Sequence, residues 1–554
     1  MDSMDETYDF VVVGSGGGSM CAGLIMREAG KSVLILEKTD LIGGSTAKAG
    51  GVMWVPNNRF MAADGVEDSP ERAMAYLDAV VGDHNDTPGA TRDRRAAYVE
   101  NAPRMIDFLV KQGIRLRRIR SWPDYYDDRA GGSEPGRTVV AELFNLNELG
   151  DLKAKLRPNN FPIAGPLDEL MQLPLFKRSW RSRYLMMKTA LRTVSARLTG
   201  KHWVTAGAAL QGRMLQQAAG KGIEIRTDAP VKEILVEDGA AVGLVTVKDG
   251  RDWRVGARCG ILVNAGGFAH NQAMRDEHIP NTSTEWTHAA PGDTGDMHRE
   301  LARLGAAMAQ MNEMVGNQMT LPPGVAPVGV QMQLAKPHAI LVDQSGERYL
   351  NEGGSYMEFC QGMLARNEEV SAIPSWMVVD TRFLRDYMIG STMPGTGKPQ
   401  SWYDSNYLRK GETIEQLATA CGMDPARLKA NVDRFNGFAR NGRDEDFGRG
   451  NRAYDRWLGD RTHGPSATLG TIEEGPFFAV PVVPGDVGTF GGVVTDTHAR
   501  VLRDDGTPIR GLYATGTTTA SVMGRTYPGA GCSIGPSFTW GFVAARHALE
   551  QAST

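Results

Sequence analysis

The sequence predicts an α/β protein, and three observations support that class. Residues 9–37 carry two short apolar runs separated by a glycine-rich turn and a segment with apolar residues at helical spacing. Apolar runs within residues 259–268 and 491–516 again enter glycine turns, as buried strands of one parallel sheet do. Residues 318–488 differ in composition, because they are rich in Met, Pro and aromatic residues. Since 554 residues exceed the usual size of a single core, we expect two or more domains.

The stretch 9–37 has the parts needed to hold a dinucleotide. It is predicted to form a strand, a helix and a second strand at residues 10–13, 20–29 and 33–36. Gly14 permits the tight turn, and Gly16 lets the backbone approach a pyrophosphate at the helix N-terminus. Glu37, at the end of the second strand, can accept hydrogen bonds from ribose hydroxyls. The third fingerprint position, usually Gly or Ala, is Ser19. The pattern predicts a Rossmann-like dinucleotide-binding domain.

A second glycine-rich loop, residues 41–51, follows directly after Glu37. A nicotinamide-type domain usually continues with its next helix here, whereas small residues suit backbone packed against a flat, rigid cofactor. In FAD enzymes of the two-dinucleotide-binding class this position lies along the flavin and its phosphates. FAD is therefore favoured over NAD. Ser45 and Thr46 could donate hydrogen bonds to the cofactor or could cap the next helix, and the sequence leaves both open.

Composition limits which partners and which cellular compartment can be expected. A net charge of −4 and a pI near 6.2 give no reason to expect nucleic acid as a partner. The five cysteines are scattered without a CxxC motif, so neither a disulfide framework nor a metal site is expected. The acidic N-terminus does not look like a signal peptide, and no run of 18 apolar residues occurs. We expect a cytoplasmic protein.

Residues 177–201 contain eight basic residues and no acid. Apolar residues spaced four and three apart form one narrow helical stripe: Trp180, Tyr184, Met187, Leu191, Val194 and Leu198. This pattern is typical of a helix lying on an anionic membrane surface, or of a helix docked on its own protein with a solvated basic back. Membrane contact would place the protein peripherally at the inner face of the cell membrane.

The remaining elements follow the same α/β pattern. Residues 222–263 alternate like a β-meander, and the turn at Ala265, Gly266 and Gly267 that follows passes near the adenosine in flavoproteins of this kind. A glycine-dense loop within residues 521–541 leads into a closing helix, 538–549, and suits the pyrimidine edge of a flavin. The predicted domain division is 1–317, with a basic amphipathic insertion at about 150–203, then 318–488 and 489–554.

Six motifs occur in an order that resembles one family. They are the nucleotide loop of residues 14–19, GGSTAKAGG at 43–51, NAGGF at 264–268, EEGPFFAV at 473–480, GLYATG at 511–516 and RTYPGAG at 525–531. The whole chain resembles FAD enzymes of the fumarate reductase/3-ketosteroid dehydrogenase superfamily. Within it, tyrosine contexts at residues 123–126, 351–359 and 526–531 resemble those of 3-ketosteroid Δ1-dehydrogenases.

The resemblance implies a fold and a set of roles. The fold is a Rossmann-like FAD-binding domain of the two-dinucleotide-binding-domain flavoprotein type with an inserted α+β substrate domain. Tyr527 and the backbone N–H of Gly531 would hold the C3 carbonyl of a 3-ketosteroid. Tyr356 would remove the C2 proton, supported by Tyr125, with Tyr126 as the alternative. The C1 hydride would pass to flavin N5, which gives a 1,2-desaturation.

The motifs and the resemblance together predict the residues that contact FAD. They are Gly14, Gly16, Gly17, Gly18, Ser19, Glu37, Lys38, Gly43, Gly44, Ser45, Thr46, Ala49, Gly50, Gly51, Val231, Ala265, Gly266, Gly267, Gly516, Ser533 and Ile534. Alternatives are a 3-oxo-5α-steroid 4-dehydrogenase, a fumarate-type reductase and a non-catalytic FAD-fold binding module. An external electron acceptor is also implied, and a quinone fits membrane contact.

Overall fold

The structure, a computed structural model, describes residues 4–82, 88–161, 163 and 165–553. Its strands are β1 (Glu6–Val13), β2 (Val33–Leu36), β3 (Val52–Trp54), β4 (Leu116–Arg118), β5 (Thr138–Ala141), β6 (Phe144–Asn145), β7 (Trp203–Val204), β8 (Glu224–Arg226), β9 (Glu233–Glu237), β10 (Ala240–Lys248), β11 (Arg251–Val263), β12 (Met308–Ala309), β13 (Met314–Thr320), β14 (Val328–Gly329), β15 (Ala339–Val342), β16 (Ser375–Val379), β17 (Arg409–Gly411), β18 (Phe477–Thr489), β19 (Gly492–Val493), β20 (Arg500–Leu502) and β21 (Pro508–Ala514).

The helices are interspersed among these strands. They are α1 (Gly17–Glu28), α2 (Gly44–Lys48), α3 (Arg59–Ala63), α4 (Pro70–Val80), α5 (Arg92–Lys111), α6 (Leu167–Leu170), α7 (Trp180–Leu198), α8 (Ala206–Gly220), α9 (Gln272–His278), α10 (Asp296–Arg303), α11 (Gln331–Leu334), α12 (Tyr356–Glu369), α13 (Thr381–Asp386), α14 (Gln400–Asp404), α15 (Ile414–Cys421), α16 (Pro425–Asn441), α17 (Ala453–Leu458) and α18 (Ile534–Ala552).

A parallel sheet in the order β8–β2–β1–β11–β21 forms the centre of the nucleotide-binding part. β1 and β2 pair in register from Phe10 opposite Val33 to Val13 opposite Leu36, and every residue of that register is buried. Continuous apolar strands are expected when helices cover both faces of a parallel sheet. The strand–helix–strand prediction for residues 9–37 is confirmed, with α1 as the crossover helix.

The meander predicted for residues 222–263 is confirmed for residues 233–263, whereas β8 pairs parallel to β2 in the central sheet. β9, β10 and β11 pair antiparallel, and the second half of β11 then enters the parallel sheet beside β1. β21 pairs parallel to the end of β11, with Val263 opposite Ala514. The carboxyl ends of β1, β2, β11 and β21 therefore meet at one edge, which is where ligands bind in open α/β sheets.

A second, antiparallel sheet lies within the inserted part of the chain. Its order is β14–β13–β18–β16–β15, with β17 added beside β18. Helices α12 to α17 belong to the same stretch, so an α+β substrate domain agrees with the pattern of elements. The predicted boundary at residue 318 falls inside β13, which begins at Met314.

Helix α7 packs on the protein through a face that the sequence pattern did not indicate. Ser182, Leu185 and Thr189 are buried, whereas the six stripe residues are 54–83% exposed. The interpretation in which this stripe docks on the protein is therefore wrong. Across the described parts of the chain, no helix combines the length and hydropathy needed to cross a membrane.

Candidate active site

A cleft of about 1190 Å³ opens at the carboxyl ends of the parallel strands. Fourteen of the predicted cofactor residues line it: Gly14, Gly16, Glu37, Lys38, Gly44, Ser45, Thr46, Ala49, Val231, Ala265, Gly266, Gly516, Ser533 and Ile534. They come from the first turn, the second glycine loop, the β11 turn and the start of α18. Segments far apart in sequence are thus brought to one wall.

Three glycines of this cleft have no room for a side chain. A Cβ on Gly14, whose φ is +90°, would lie 2.2 Å from the Asn264 carbonyl oxygen. A Cβ on Gly266 would meet the Asp293 carboxylate at 2.3 Å, and one on Gly516 would meet Asn264 Oδ1 at 2.4 Å. Glycine is therefore required for the close packing of the cleft wall itself. The glycine turn that precedes α1 lines the cleft, where a helix N-terminus fits a dinucleotide phosphate.

Glu37 is buried at the end of β2, and donors on both sides hold its carboxylate. Oε2 accepts from the Ser15 hydroxyl at 2.6 Å and from the Ser15 N–H at 3.3 Å. Oε1 accepts from the Thr39 N–H and hydroxyl at 2.9 and 2.8 Å. The carboxylate is thus fixed in the cleft wall, where its remaining lone pairs can accept from ribose hydroxyls.

Seven predicted cofactor residues do not line the cleft: Gly17, Gly18, Ser19, Gly43, Gly50, Gly51 and Gly267. Gly17 and Gly18 instead let α1 approach α18, since a Cβ on them would lie 2.0 Å from the Phe538 ring and 2.2 Å from the Ser537 carbonyl oxygen. The Ser19 hydroxyl accepts from Asn264 Nδ2 at 2.9 Å. Gly17, Gly18 and Ser19 therefore hold the wall of the cleft in place without lining it.

Asp293 is a cleft residue that the sequence pattern did not reveal. It lies in the loop before α10, and its carboxylate accepts from the Ser45 hydroxyl at 2.9 Å. Burial raises the pKa of Asp293 to about 7, with nearby Glu37 adding to the rise. Ser45 is thus turned toward Asp293 inside α2, whose N-cap is Gly43 rather than Ser45. Ser15, Arg157 and Asn264 also line the cleft without having been predicted.

The three predicted catalytic tyrosines form one cluster, in which Tyr125 and Tyr527 are buried and Tyr356 is half-buried. The ring centroid of Tyr356 lies 5.4 Å from that of Tyr125 and 5.0 Å from that of Tyr527, and the Tyr125 and Tyr527 centroids are 6.0 Å apart. They come from separate segments: a loop after β4, the first residue of α12, and the loop before α18. The structure therefore brings together side chains that are up to 402 positions apart.

Tyr125, rather than Tyr126, faces this cluster. Tyr126 is half-buried on the outer side, where the Arg452 guanidinium lies 4.9 Å from its ring centroid. Tyr125 is 1% exposed and makes an edge contact with Tyr356. The geometry supports Tyr125 as the supporting tyrosine.

The loop from Tyr527 to Gly531 is held by its carbonyl groups. The Pro528 carbonyl accepts from the Tyr76 hydroxyl at 2.6 Å and from the Tyr125 N–H at 2.9 Å. The Gly531 carbonyl accepts from the Trp54 N–H at 3.2 Å. The Gly531 N–H, in contrast, donates to no group of the described residues, and the φ of this glycine is +100°. Such a fixed, unused donor suits a developing oxyanion.

The cluster is composed of neutral phenols. Burial raises the pKa of Tyr356 well above 10, and the charge of a Tyr527 phenolate would raise it further, whereas a hydrogen bond with Tyr125 lowers it. Burial also raises the pKa of Tyr527 to about 12, and the Ser533 N–H and hydroxyl lie 3.2 and 3.0 Å from its oxygen. A base in this cluster requires donors that stabilise its phenolate.

A fourth tyrosine, Tyr454, completes the cluster and was not predicted. Its ring stacks on that of Tyr125 with a centroid distance of 4.1 Å. Its hydroxyl oxygen accepts from Gln331 Nε2 at 2.6 Å. Its sequence context, on a short helix within polar residues, carries no signal that would have separated it from a surface tyrosine.

Comparison with known proteins identifies the family of the chain. A family model described as FAD binding domain matches residues 9–534. The 3-oxosteroid 1-dehydrogenase of Mycolicibacterium smegmatis is 37% identical over 98% of this chain and 97% of its own length. The chain belongs to the 3-oxosteroid 1-dehydrogenase family. Its cofactor is accordingly FAD, and the residues that line the cleft fit that cofactor.

Two further similarities show the range of that family's neighbours. The structure of 3-ketosteroid delta1-dehydrogenase from Sterolibacterium denitrificans, in complex with 1,4-androstadiene-3,17-dione, superimposes with a TM-score of 0.92, at 32% identity over 99% of this chain and 100% of that one. The 4-oxocyclohexanecarboxylate 2-dehydrogenase of Sinomonas cyclohexanicum is 32% identical over 99% of this chain and 94% of its own length. Similarity therefore extends to an enzyme named for a single-ring ketone.

Proposed function

We propose that this protein is an FAD-dependent 3-oxosteroid 1-dehydrogenase that introduces the 1,2 double bond of 3-ketosteroids. The observation that carries the proposal is the cluster of Tyr125, Tyr356 and Tyr527 beside the fixed N–H of Gly531. The membership of the chain in the 3-oxosteroid 1-dehydrogenase family supports the same activity.

Each residue has a defined task in that reaction. The Tyr527 hydroxyl and the Gly531 N–H donate to the C3 carbonyl oxygen, which acidifies the C2 hydrogens by stabilising the enolate. The Tyr356 oxygen accepts the C2 proton, and Tyr125 donates to that oxygen so that it can lose its own proton at lower pH. Bound FAD supplies the acceptor for the C1 hydride.

Ion pairs of the candidate arginines with protein carboxylates argue against a fumarate-type reductase. A dicarboxylate would require arginines that are free to grip two carboxylates. Arg348 is buried in ion pairs with Glu352 and Asp444 at 2.8 and 3.0 Å. Arg382 and Arg385 pair with the neighbouring aspartates of their own helix turn at 2.6 and 2.9 Å. These three arginines are already committed to protein carboxylates.

A substrate panel tests the proposal. Purified holoenzyme is mixed with an artificial electron acceptor and, in turn, androst-4-ene-3,17-dione, 5α-androstane-3,17-dione, 4-oxocyclohexanecarboxylate and succinate. We expect turnover with the first compound and a 1,4-diene product. Turnover of the second to a 4-ene would instead identify a 4-dehydrogenase, and turnover of the third or fourth alone would assign the site to a small acid. No turnover with any of them would favour a binding module.

We also propose that α7 contacts an anionic membrane surface through its apolar stripe. The stripe residues are more than half exposed, and Arg181, Arg183 and Arg197 beside them are exposed as well. Other cations of the segment are paired toward the protein, as Arg178 is with Asp460 at 3.1 Å and Lys188 with Glu169 at 2.6 Å. An exposed apolar stripe flanked by exposed cations suits acyl chains and anionic headgroups. A membrane quinone would then be within reach as the electron acceptor.

Vesicle binding tests this contact. The triple variant Trp180→Ser, Leu191→Ser, Leu198→Ser should lose most co-sedimentation with anionic vesicles, because its three most exposed apolar residues are removed while α7 keeps its buried face. The matched control Val236→Ser, Val325→Ser, Met393→Ser removes exposed apolar residues elsewhere and should bind like the wild type. Equal binding by the wild type and the stripe variant would sink the proposal. Quinone reduction should occur only with vesicles that contain quinone and bind the protein.

A further inference from the structure

Glu313 is a buried carboxylate that stands immediately before β13, with its side chain 3% exposed. Its Oε1 forms an ion pair with Arg525 Nε at 2.8 Å, and its Oε2 accepts from Gln361 Nε2 at 2.7 Å. The same Gln361 nitrogen also donates to the Arg525 carbonyl oxygen at 2.9 Å. Each of these three residues therefore contacts the other two.

Two members of this group belong to the segments that carry the tyrosine cluster. Arg525 lies two positions before Tyr527 in the loop of residues 521–533, here called the Tyr527 loop. Gln361 lies on α12, five positions after Tyr356. The ring centroids of the two tyrosines are 5.0 Å apart. One buried carboxylate thus joins the segment of the oxyanion donor to the segment of the base.

A turn that ends at Glu313 holds the Tyr527 loop at a second point. The Glu313 N–H donates to the Gln310 carbonyl at 2.9 Å, which closes the turn. The Gln310 side chain accepts from the Ser521 N–H at 2.9 Å and donates to the Ser521 carbonyl at 3.0 Å. The Glu313 carbonyl accepts from the Phe490 N–H at 2.9 Å, and the Phe490 ring centroid lies 6.0 Å from that of Tyr527.

Helix α12 is fixed against the strand that follows Glu313. A Cβ on Gly316 of β13 would lie 2.6 Å from the Cys360 Cβ, so only glycine permits this close contact. Cys360 is the neighbour of Gln361 on α12. The position of α12 relative to β13 is therefore set by packing, and the Arg525 ion pair joins the Tyr527 loop to the same frame.

The Glu313 carboxylate contributes orientation rather than stability. Burial raises its pKa, whereas the Gln361 hydrogen bond and the Arg525 charge lower it. Removing a carboxylate from water carries a free-energy cost, and an ion pair with an arginine that is 52% exposed offsets only part of it. Its two oxygens can, however, accept from two segments at once, which fixes one relative to the other.

We propose that Glu313 is a positioning residue that holds the oxyanion donor and the base at the spacing required for 1,2-desaturation. It does so by holding Arg525 and Gln361 on one carboxylate. The inference rests on the proposed function, which makes Tyr527 the donor and Tyr356 the base. Glu313 contacts neither the ketone nor the C2 hydrogen in this scheme. Because both must be held at once, a displacement of about 1 Å can lower the rate by about 10²-fold.

The steroid dependence of flavin reduction is the first test. Holoenzyme is mixed anaerobically with increasing androst-4-ene-3,17-dione, which gives the limiting rate and the half-saturating concentration. Glu313→Gln removes the charge and keeps the size, so we expect the limiting rate to fall about tenfold with the half-saturating concentration little changed. Arg525→Gln should lose as much, and Arg525→Lys should regain most of that loss because it keeps the charge. An unchanged limiting rate in Glu313→Gln would overturn the inference.

A double-mutant cycle with Tyr527→Phe separates positioning from general damage. In the wild-type background, Tyr527→Phe should lower the limiting rate about 10²-fold. In the Glu313→Gln background the same change should cost only about tenfold, because the Tyr527 hydroxyl is already displaced from the ketone. Losses that simply multiply would show that Glu313 acts independently of Tyr527 and would contradict the inference.

Arg366→Gln is the matched control. Arg366 lies on α12, as Gln361 does, and pairs with the buried carboxylate of Asp343 at 2.8 Å. Asp343 directly follows β15 and lies outside the Tyr527 loop. The variant should keep the wild-type limiting rate and the full cost of Tyr527→Phe. A loss equal to that of Glu313→Gln would assign the effect to the stability of α12 and overturn the inference.

Hydrogen exchange gives a test that does not depend on turnover. Amides of the Tyr527 loop are followed by mass spectrometry in the holoenzyme and its variants. Glu313→Gln should speed exchange in this loop, and Arg366→Gln should not. If the wild type is not reduced by the steroid, the proposed function fails, and exchange alone decides: faster exchange in Glu313→Gln supports its role in holding the loop, and unchanged exchange overturns it.

Discussion

The FAD cleft and the tyrosine cluster are built in opposite ways. The cleft is formed largely by main chain, and three of its glycines have no space for a Cβ. Its fixed carboxylate, that of Glu37, follows β2 within the same motif as the first glycine turn. The cluster presents side chains, four phenols drawn from four segments and packed with centroid distances of 4.1 to 6.0 Å. One region depends on local chain geometry and the other on tertiary packing.

The difference also separates binding from chemistry. Changes in the cleft should alter how tightly FAD is held and leave the reaction of bound FAD intact. Changes in the cluster should do the reverse. The separation of FAD binding from the reaction of bound FAD can be tested by variants in each region.

Removal of the base should have the largest effect. Tyr356→Phe should slow anaerobic flavin reduction by 3-ketosteroid about 10³-fold, since general-base catalysis contributes about 10²- to 10⁴-fold. FAD content, measured by absorbance of the purified protein, should stay at the wild-type level. A loss of less than tenfold would show that Tyr356 is not the base.

Removal of one oxyanion donor should come next. Tyr527→Phe should lower the rate of flavin reduction about 10²-fold, because the Gly531 N–H remains to hold the ketone. Tyr76→Phe removes one of the two donors to the Pro528 carbonyl and the acceptor of the Tyr126 N–H, and should cost far less. An equal loss in both variants would mean that the loop position matters and the Tyr527 hydroxyl does not.

In the cleft, Glu37→Gln should weaken FAD binding about tenfold, the scale of one hydrogen bond to a charged group. The measurement is a titration of apoprotein with FAD by flavin fluorescence. Glu28→Gln, at the end of α1 and away from the cleft, is the control and should match the wild type. If Glu37→Gln lowers the reduction rate of fully FAD-loaded enzyme, the separation of the two regions fails.

The affinity for FAD should fall with rising pH, whereas the rate of flavin reduction should increase. Because burial raises the pKa of Asp293 to about 7, this group is neutral at lower pH and becomes an anion in the cleft as pH rises through 7. FAD is itself anionic, so its affinity should fall severalfold from about pH 6 to about pH 8. Asp293→Asn should abolish the fall, whereas the reduction rate of bound FAD should rise with pH in both proteins. A persistent fall in the variant would assign the effect to another group.

What could be predicted from the sequence follows the same division. The strand–turn–helix–strand of residues 9–37 was predicted closely because its signals are local: Val33–Leu36 is the predicted second strand residue for residue. The closing helix was predicted too short, since α18 begins at Ile534, inside the small-residue loop. The small residues at the start of α18 are typical of a loop, so they did not indicate that the helix begins there.

Tertiary contacts account for what the sequence did not show. Gly17 and Gly18 were expected at the cofactor, yet their small size serves the packing of α1 on α18. Asp293 and Tyr454 reach their sites only because distant segments fold together, and no spacing rule connects them to the motifs. The stripe on α7 was identified correctly from its periodicity, but periodicity cannot state which face of a helix is covered.

The most direct test of the account uses a steroid deuterated at C1. Holoenzyme is mixed anaerobically with deuterated androst-4-ene-3,17-dione, the flavin band is followed, and the product is analysed by mass. With both C1 hydrogens replaced by deuterium, we expect bleaching that is slower than with the unlabelled steroid and a 1,4-diene that has lost one of its two C1 deuterium atoms. Absence of bleaching, or bleaching at the unlabelled rate with the deuterium retained, would contradict it.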